Sequence, residues 1–476
     1  MTAQTILPAN SATAATGYNV ANSLRFNESD DCLIKTFGSA GNTKLWTYSV
    51  WFKRGKLGGS YALFVAGASG GNDESTIRIE ADKIDWQNYD VGTSAQDGQL
   101  LTNQLIRDPS AWYHLVCAYD SANSTAGNRM RMYLNGSEVT SFATDNNSSV
   151  NYDSATNSAV LHNIGRQSWN SSADFAGYMA EICFIDGAAL TPTSFGEFDG
   201  DSPTIWKPLE SVEDLTFGDN GFYLEFKESG TGTDANGMGA DTSGEYNHFA
   251  VNNLTAVDQS TDTCTNNFCT MNPVLGALYT PTFSEGNLQV TQSTDNQHAV
   301  THGTFAVTKG VWYWEVKYIG NTGTSGPSDR AVGIQVPNVT NVFTQANYNT
   351  AGSILYYGYD GGEIFDEGTS TTADYGTYSQ NSILGISLDM DNSVISFYIN
   401  GNEVVDNYAL GSNASVIATP AVTWPNGTAS GTEMGMNFGS PFFALSSAVA
   451  DANGHGAFEY TPVGFALCTK NLAEFG

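Results

Sequence analysis

The chain has 476 residues, with 18 Lys and Arg against 49 Asp and Glu, a formal net charge of −31. At about 150 residues per domain this length suits two to four domains, each large enough for its own core. So acidic a chain lacks the clustered cations that nucleic acid or an anionic membrane surface would need, and an aromatic content of 12% argues against a disordered acidic tail. No apolar run approaches the 18 or so residues of a membrane span.

The first 20 residues, rich in Ala, Thr, Ser and Asn, carry no core pattern and no basic cluster followed by an apolar stretch. They read as an arm for docking to another protein. From there strand signals dominate. Trp46-Thr-Tyr-Ser-Val-Trp-Phe52, Thr76-Ile-Arg-Ile79, Trp112-Tyr-His-Leu-Val-Cys-Ala-Tyr119 and Ala180-Glu-Ile-Cys-Phe-Ile185 are followed by Val311-Trp-Tyr-Trp-Glu-Val-Lys-Tyr318, Ser382-Ile-Leu-Gly-Ile-Ser-Leu388 and Val394-Ile-Ser-Phe-Tyr-Ile399. A 3.6-residue apolar period is missing throughout, so the fold class is all-β.

Met130-Arg-Met-Tyr-Leu-Asn135-Gly136 and Ile395-Ser-Phe-Tyr-Ile-Asn400-Gly401 each place Asn-Gly between alternating apolar residues. Both central residues of a type I′ turn need positive φ, so both segments are predicted hairpins. Each follows a Trp-Tyr strand, but at very different distances, which excludes a simple tandem repeat. Two different β-sandwiches in series are expected, over 21–200 and 282–445. Between them, 201–281 is rich in Gly, Ser, Thr, Asn and Asp and is expected to run as an extended connector. Residues 446–476 form a C-terminal strap.

Six cysteines are too few for a disulfide scaffold, and Cys32, Cys117 and Cys183 sit in apolar strand-like runs as small buried hydrophobes. Cys264 and Cys269, with only His248 nearby, do not make a zinc site. A jelly-roll glycanase needs two carboxylates about 5 to 9 Å apart. Glu197-Phe-Asp199-Gly-Asp201 comes closest but reads as a turn after the sandwich, and Asp389-Met-Asp391 reads as turn chemistry ending a strand. The expectation is a chain without catalytic residues.

Binding is better supported, because saccharide sites combine aromatic faces with Asp, Asn and Gly groups that bond hydroxyls. In the second half the candidates are Tyr357, Tyr359 and Asp360 in Tyr356-Tyr-Gly-Tyr-Asp-Gly361, and Trp424 with Asn426 in a predicted loop tip. In the first half they are Asp73 and Glu74, with Trp86 in a second predicted loop. Calcium suits the oxygen-rich stretches 69–74, 86–90 and 360–367, although none has the spacing of a defined calcium loop. No other cofactor is expected.

Ser23-Leu-Arg-Phe26, Tyr48-Ser-Val-Trp-Phe-Lys53, Met132-Tyr-Leu-Asn-Gly136 and Gly177-Tyr-Met-Ala-Glu-Ile-Cys-Phe-Ile-Asp-Gly187 make the first half resemble the laminin-G-like, concanavalin-like jelly rolls. Gly310-Val-Trp-Tyr-Trp-Glu-Val316, Val332-Gly-Ile334, Ile383-Leu-Gly-Ile-Ser-Leu-Asp389 and Met436-Asn-Phe-Gly439 make the second resemble a SPRY domain. Gly221-Phe-Tyr-Leu-Glu-Phe226, Thr265-Asn-Asn-Phe-Cys-Thr-Met-Asn-Pro273 and Tyr460-Thr-Pro-Val-Gly-Phe465 are similar to segments of tailed-bacteriophage virion proteins. The resemblance implies a virion structural protein, assembled in the host cytoplasm: a tail fibre or appendage that presents lectin-like domains to a host-surface glycan. Its partners would be other virion proteins and further copies of itself, trimeric by analogy. The alternatives are a capsid decoration protein with a purely structural role and, further off, a glycan depolymerase.

Overall fold

The computed structural model describes residues 17–67, 73–167, 173–200, 202–274, 281–292, 299–321, 330–337, 352–358, 361–412, 414–424 and 431–476. Two units divide them, Ala14–Thr265 and Asn266–Gly476. Both are sandwiches of almost wholly antiparallel sheets, with one short parallel pair in the second unit, as the alternating sequence suits.

In the first unit the strands are β1 (Ser23–Asn27), β2 (Cys32–Thr36), β3 (Leu45–Arg54), β4 (Ser60–Ala66), β5 (Glu74–Glu80), β6 (Lys83–Asp90), β7 (Ala95–Thr102), β8 (Trp112–Asp120) and β9 (Met130–Leu134). There follow β10 (Ser137–Glu138), β11 (Phe142–Asn146), β12 (Leu161–Ile164), β13 (Ala176–Asp186), β14 (Gly196–Phe198), β15 (Trp206–Pro208), β16 (Phe222–Leu224), β17 (Ala250–Asn252) and β18 (Gln259–Ser260). One sheet runs β10-β9-β8-β3-β13-β1-β18, with β16 also on β13; the other runs β11-β7-β6-β5-β4-β12-β2-β17. Between them lies an aromatic core in which Trp46 stacks on Tyr119 (5.1 Å) and Tyr48 on Phe64 (4.6 Å).

The connector departs from expectation. Through residue 265 it completes the first sandwich: β16 pairs with β13, β17 with β2 and β18 with β1. Phe222, Leu224, Phe226, Met238, Phe249 and Leu254 are all buried in the core. These anchors are spaced so widely among Gly, Asn and Ser that the average composition conceals them. Two ion pairs fix the same stretch: Lys53 to Asp262 at 2.8 Å, both 2% exposed or less, and Arg25 to Asp258 at 3.0 Å.

The second unit contains β19 (Thr282–Ser284), β20 (Gln289–Thr291), β21 (Ala299–His302), β22 (Val311–Asn321), β23 (Ala331–Gln335), β24 (Ile354–Tyr357) and β25 (Glu363–Asp366). It continues with β26 (Thr369–Ser370), β27 (Ile383–Asp389), β28 (Val394–Ile399), β29 (Asn402–Ala409), β30 (Thr419–Trp424), β31 (Thr432–Asn437), β32 (Phe465–Ala466) and a terminal helix α1 (Thr469–Phe475). Its sheets run β19-β20-β31-β22-β27-β28-β29, with β32 on β22, and β21-β30-β23-β24-β25-β26. Phe268 packs with Tyr313, Phe458, Ala466 and Cys468, while Cys269 and Met271 enter the main core, so the end of the expected connector belongs here. The C-terminal strap lies against β22. Glu315, buried on that strand, accepts the backbone N–H groups of Glu459 and Tyr460 at 2.9 Å each and the Asn437 side chain at 2.9 Å.

Both Asn-Gly turns form as predicted, with φ of 48° and 78° at Asn135-Gly136 and 49° and 78° at Asn400-Gly401. In each the Asn side-chain oxygen accepts a backbone N–H from the preceding strand pair, from His114 at 2.8 Å and from Ile383 at 2.9 Å. An aromatic side chain covers each glycine: a Cβ on Gly136 would lie 2.3 Å from Trp206, and one on Gly401 2.6 Å from Tyr460. The acidic pair at 389–391 is turn chemistry, with Asn392 donating to Asp389 and the Gly310 N–H to Asp391.

Candidate ligand-binding face

Side-chain parity sorts the candidates. On β6, Ile84 and Trp86 point into the core, where Trp86 lies 5.5 Å from Trp46 and is fully buried. Trp86 therefore meets no ligand, and the predicted loop around it is a strand whose outward residues are Gln87 and Tyr89. On β30, Val422 and Trp424 likewise point into the second core. Trp424 ends a strand rather than tipping a loop, because its indole completes the buried layer. Asn426, Tyr359 and Asp360 lie outside the described residues. Tyr357 is half-buried and turned away from the main core, edge-on to Phe365 at 5.3 Å. Asp73 is exposed before β5 and accepts the Val91 N–H at 3.1 Å.

Glu74 opens a polar face of the first unit, the outer side of the sheet holding β4 to β7. His162 packs inward between Phe37 and Phe64, so its neighbour Asn163 points outward. The register then aligns Asn163, Val65, Thr76, Gln87 and Gln99 in one row across five strands. A second row carries Glu74, Tyr89 and Gln96, and a third Arg78 and Asp85.

Amides and carboxylates bond across these rows. Gln96 donates to Gln87 at 2.7 Å, Gln99 to Asp85 at 2.8 Å, Arg78 to Asp85 at 3.0 Å and Thr76 to Glu74 at 3.2 Å. Gln167, from the chain beyond β12, also reaches the Glu74 carboxyl. Burial holds both carboxyls above their ordinary range, against the lowering by these hydrogen bonds.

Among the described residues, several buried polar atoms at this face have no protein partner, Ser60 Oγ at its edge being one. Asn163 Nδ2 is a donor and Gln167 Oε1 an acceptor, in residues 2% and 3% exposed. Leaving such groups unpaired costs stability, so they mark the place where a ligand adds most. A hydroxyl both donates and accepts, and a vicinal diol answers one orphan donor and one orphan acceptor together. Glu74, Tyr89 and Gln99 are half-buried and Gln96 exposed, which opens the face along one flank.

Other reactive-looking groups are structurally committed. Trp206 Nε1 donates to His114 Nδ1 at 2.9 Å, so His114 Nε2 carries the proton and donates to Ser49 Oγ at 2.8 Å. That tautomer cannot take a proton from the serine, and burial lowers the imidazole pKa to about 3. Lys207 lies 3.3 Å from both Glu197 and Asp199 in the β14–β15 hairpin. Among the described residues, no three His, Cys, Asp or Glu side chains converge to hold a metal ion. Residues 69–72 and 360 of the calcium expectation lie outside the described set.

Each of the two sandwiches matches a family model. Residues 26–194 match the family model described as Concanavalin A-like lectin/glucanases superfamily, and residues 311–439 match the SPRY domain, so both domains are present. No curated protein matches the chain. Among solved structures it is similar to the SPRY domain of human HERC1 (19% identity over 31% of this chain and 87% of that one, TM-score 0.25). It is also similar to a native heptameric SAP-like pentraxin from Limulus polyphemus (16% identity, 37% and 80% covered, TM-score 0.28). A third is Domain 4 of AbnA, a GH43 extracellular arabinanase from Geobacillus stearothermophilus, in complex with arabinotriose (18% identity, 36% and 73% covered, TM-score 0.28).

Proposed function

We propose that this chain is a non-enzymatic structural protein of a tailed-bacteriophage virion, a tail fibre or similar appendage, whose first sandwich binds a glycan of the host surface. One observation carries the glycan reading: the outer face of β4 to β7 and β12 sets an unpaired donor, Asn163 Nδ2, and an unpaired acceptor, Gln167 Oε1, beside a ladder of amides and carboxylates. The lectin superfamily match over the same strands supports it. The virion assignment rests on the resemblance of the 221–226, 265–273 and 460–465 segments. The ion pairing of Glu197 and Asp199 with Lys207 and the fixed tautomer of His114 support the non-enzymatic reading.

Adsorption competition tests this. Purified full-length protein should bind host cells saturably and block phage adsorption, while N163A and Q167A should block poorly although folded. Binding by neither would instead favour the capsid decoration role. Release of reducing sugar from host polysaccharide would favour the depolymerase.

A further inference from the structure

On the opposite sheet of the first unit, β13 changes partners at Glu181. Its pairing with β1 ends at Met179 and its pairing with β16 begins at Ile182. The register with β3 also shifts between Ala180 and Cys183. Glu181 occupies this bulge with φ of 50°, a left-handed conformation that a glutamate adopts only under constraint, and it is 5% exposed.

The constraint comes from two other segments. Tyr223 on β16 donates its hydroxyl to Glu181 Oε2. Tyr18, in the chain leading into β1, sets its hydroxyl 3.4 Å from that of Tyr223 and donates to Glu225 at 3.5 Å. Two residues on, Val20 is buried against Trp51 and Ala180, and its N–H donates to Thr265 Oγ1 at 3.0 Å. The charged and titratable groups facing Glu181 are therefore Tyr18, Tyr223 and Glu225, with Lys227 paired to Glu225 at 2.6 Å, Cys183 on its own strand, and Cys264 beside the 262–265 segment. The Lys53–Asp262 pair lies in the same layer and is already neutralised. No cation binds Glu181 directly among the described residues, and a second carboxylate stands close.

We propose that Glu181 is a proton-operated latch: protonated, it holds residues 18–20, with buried Val20 and half-buried Tyr18, on the outer face of this sheet, and ionised, it lets that segment go. Burial, with the Glu225 charge, raises the Glu181 carboxyl to about 7 against the lowering by its Tyr223 and Tyr18 hydrogen bonds, above the ordinary 4.5 that it regains once water enters. A group whose pKa is raised in the latched state favours that state at low pH and loses the advantage as pH rises through the raised value. The closed-to-open ratio thus drops about tenfold per pH unit between the two values and then levels off.

Hydrogen exchange at the Val20 amide of the full chain, corrected for intrinsic exchange, reads the latch. Protection should drop about tenfold per pH unit from pH 4.5 to 7 and flatten above, while amides in the middle of β3 keep theirs. E181Q, which retains an acceptor for Tyr223, should make the Val20 profile flat. E225Q should shift the drop to lower pH, and it carries the test if E181Q does not fold. A flat wild-type profile, an unchanged profile in E181Q or E225Q, or a parallel loss in β3 would each overturn the latch.

Discussion

A buried donor without a partner is a cost to the fold, and Asn163 Nδ2 and Gln167 Oε1 carry that cost on the same surface. Truncating either should therefore separate binding from stability. N163A and Q167A are expected to lower affinity for a bound glycan about tenfold, the value of one good hydrogen bond, while changing the unfolding free energy by about 1 kcal/mol or less. Parallel calorimetric titration and denaturant unfolding check both signs. His114 works in the opposite sense. Burial depresses its pKa from 6.5 to about 3, so it is neutral in the fold and free to charge when unfolded. The stability it supplies is complete above pH 6.5 and drains away as pH falls towards 3. The gap in unfolding temperature between wild type and H114Q should accordingly narrow from pH 7 to pH 4.

Strands and turns were largely legible before the structure. Alternation at 46–52, 112–119 and 394–399 and the two Asn-Gly turns placed the main hairpins correctly, because local sterics decide them. Parity was harder. Trp86 and Trp424 face a ligand only if their segments are loops; as strand residues both turn into the core, and beside Trp86 it is Gln87 that points to the other face. The outward amides Gln87, Gln96 and Gln99 were the available signal, yet Asn163 joins them only through a long-range register. Connector strands β16 to β18 were hidden for the same reason: their partners β13, β2 and β1 are distant in sequence.

Two elements hold the connector and its neighbours, and both can be broken. G136A places a Cβ at positive φ against Trp206 and should cost about 2 kcal/mol, of which W206A should recover the part due to the clash in a double-mutant cycle. D262N removes the carboxylate charge opposite the Lys53 ammonium, which is 1% exposed, at a cost of about 3 kcal/mol. Replacing both partners, as K53M with D262L, should restore most of that loss. Equilibrium unfolding of the single and double variants decides it.

At the scale of the whole molecule, two sandwiches with separate cores should melt as two transitions. Scanning calorimetry of D262N should move only one of them. Charge acts on both: at −31 the chain should stay dispersed at high concentration and show no salt-sensitive binding to DNA. The proposed recognition lies on the first sandwich, whose outer sheet face carries the unmatched donor and acceptor. The most direct measurement is titration of full-length protein with neutral host-surface polysaccharide, run beside N163A and Q167A. Saturable binding by wild type, weakened about tenfold in each variant, is the predicted result. Equal binding by all three proteins, or none by a folded wild type, would contradict glycan recognition at this face.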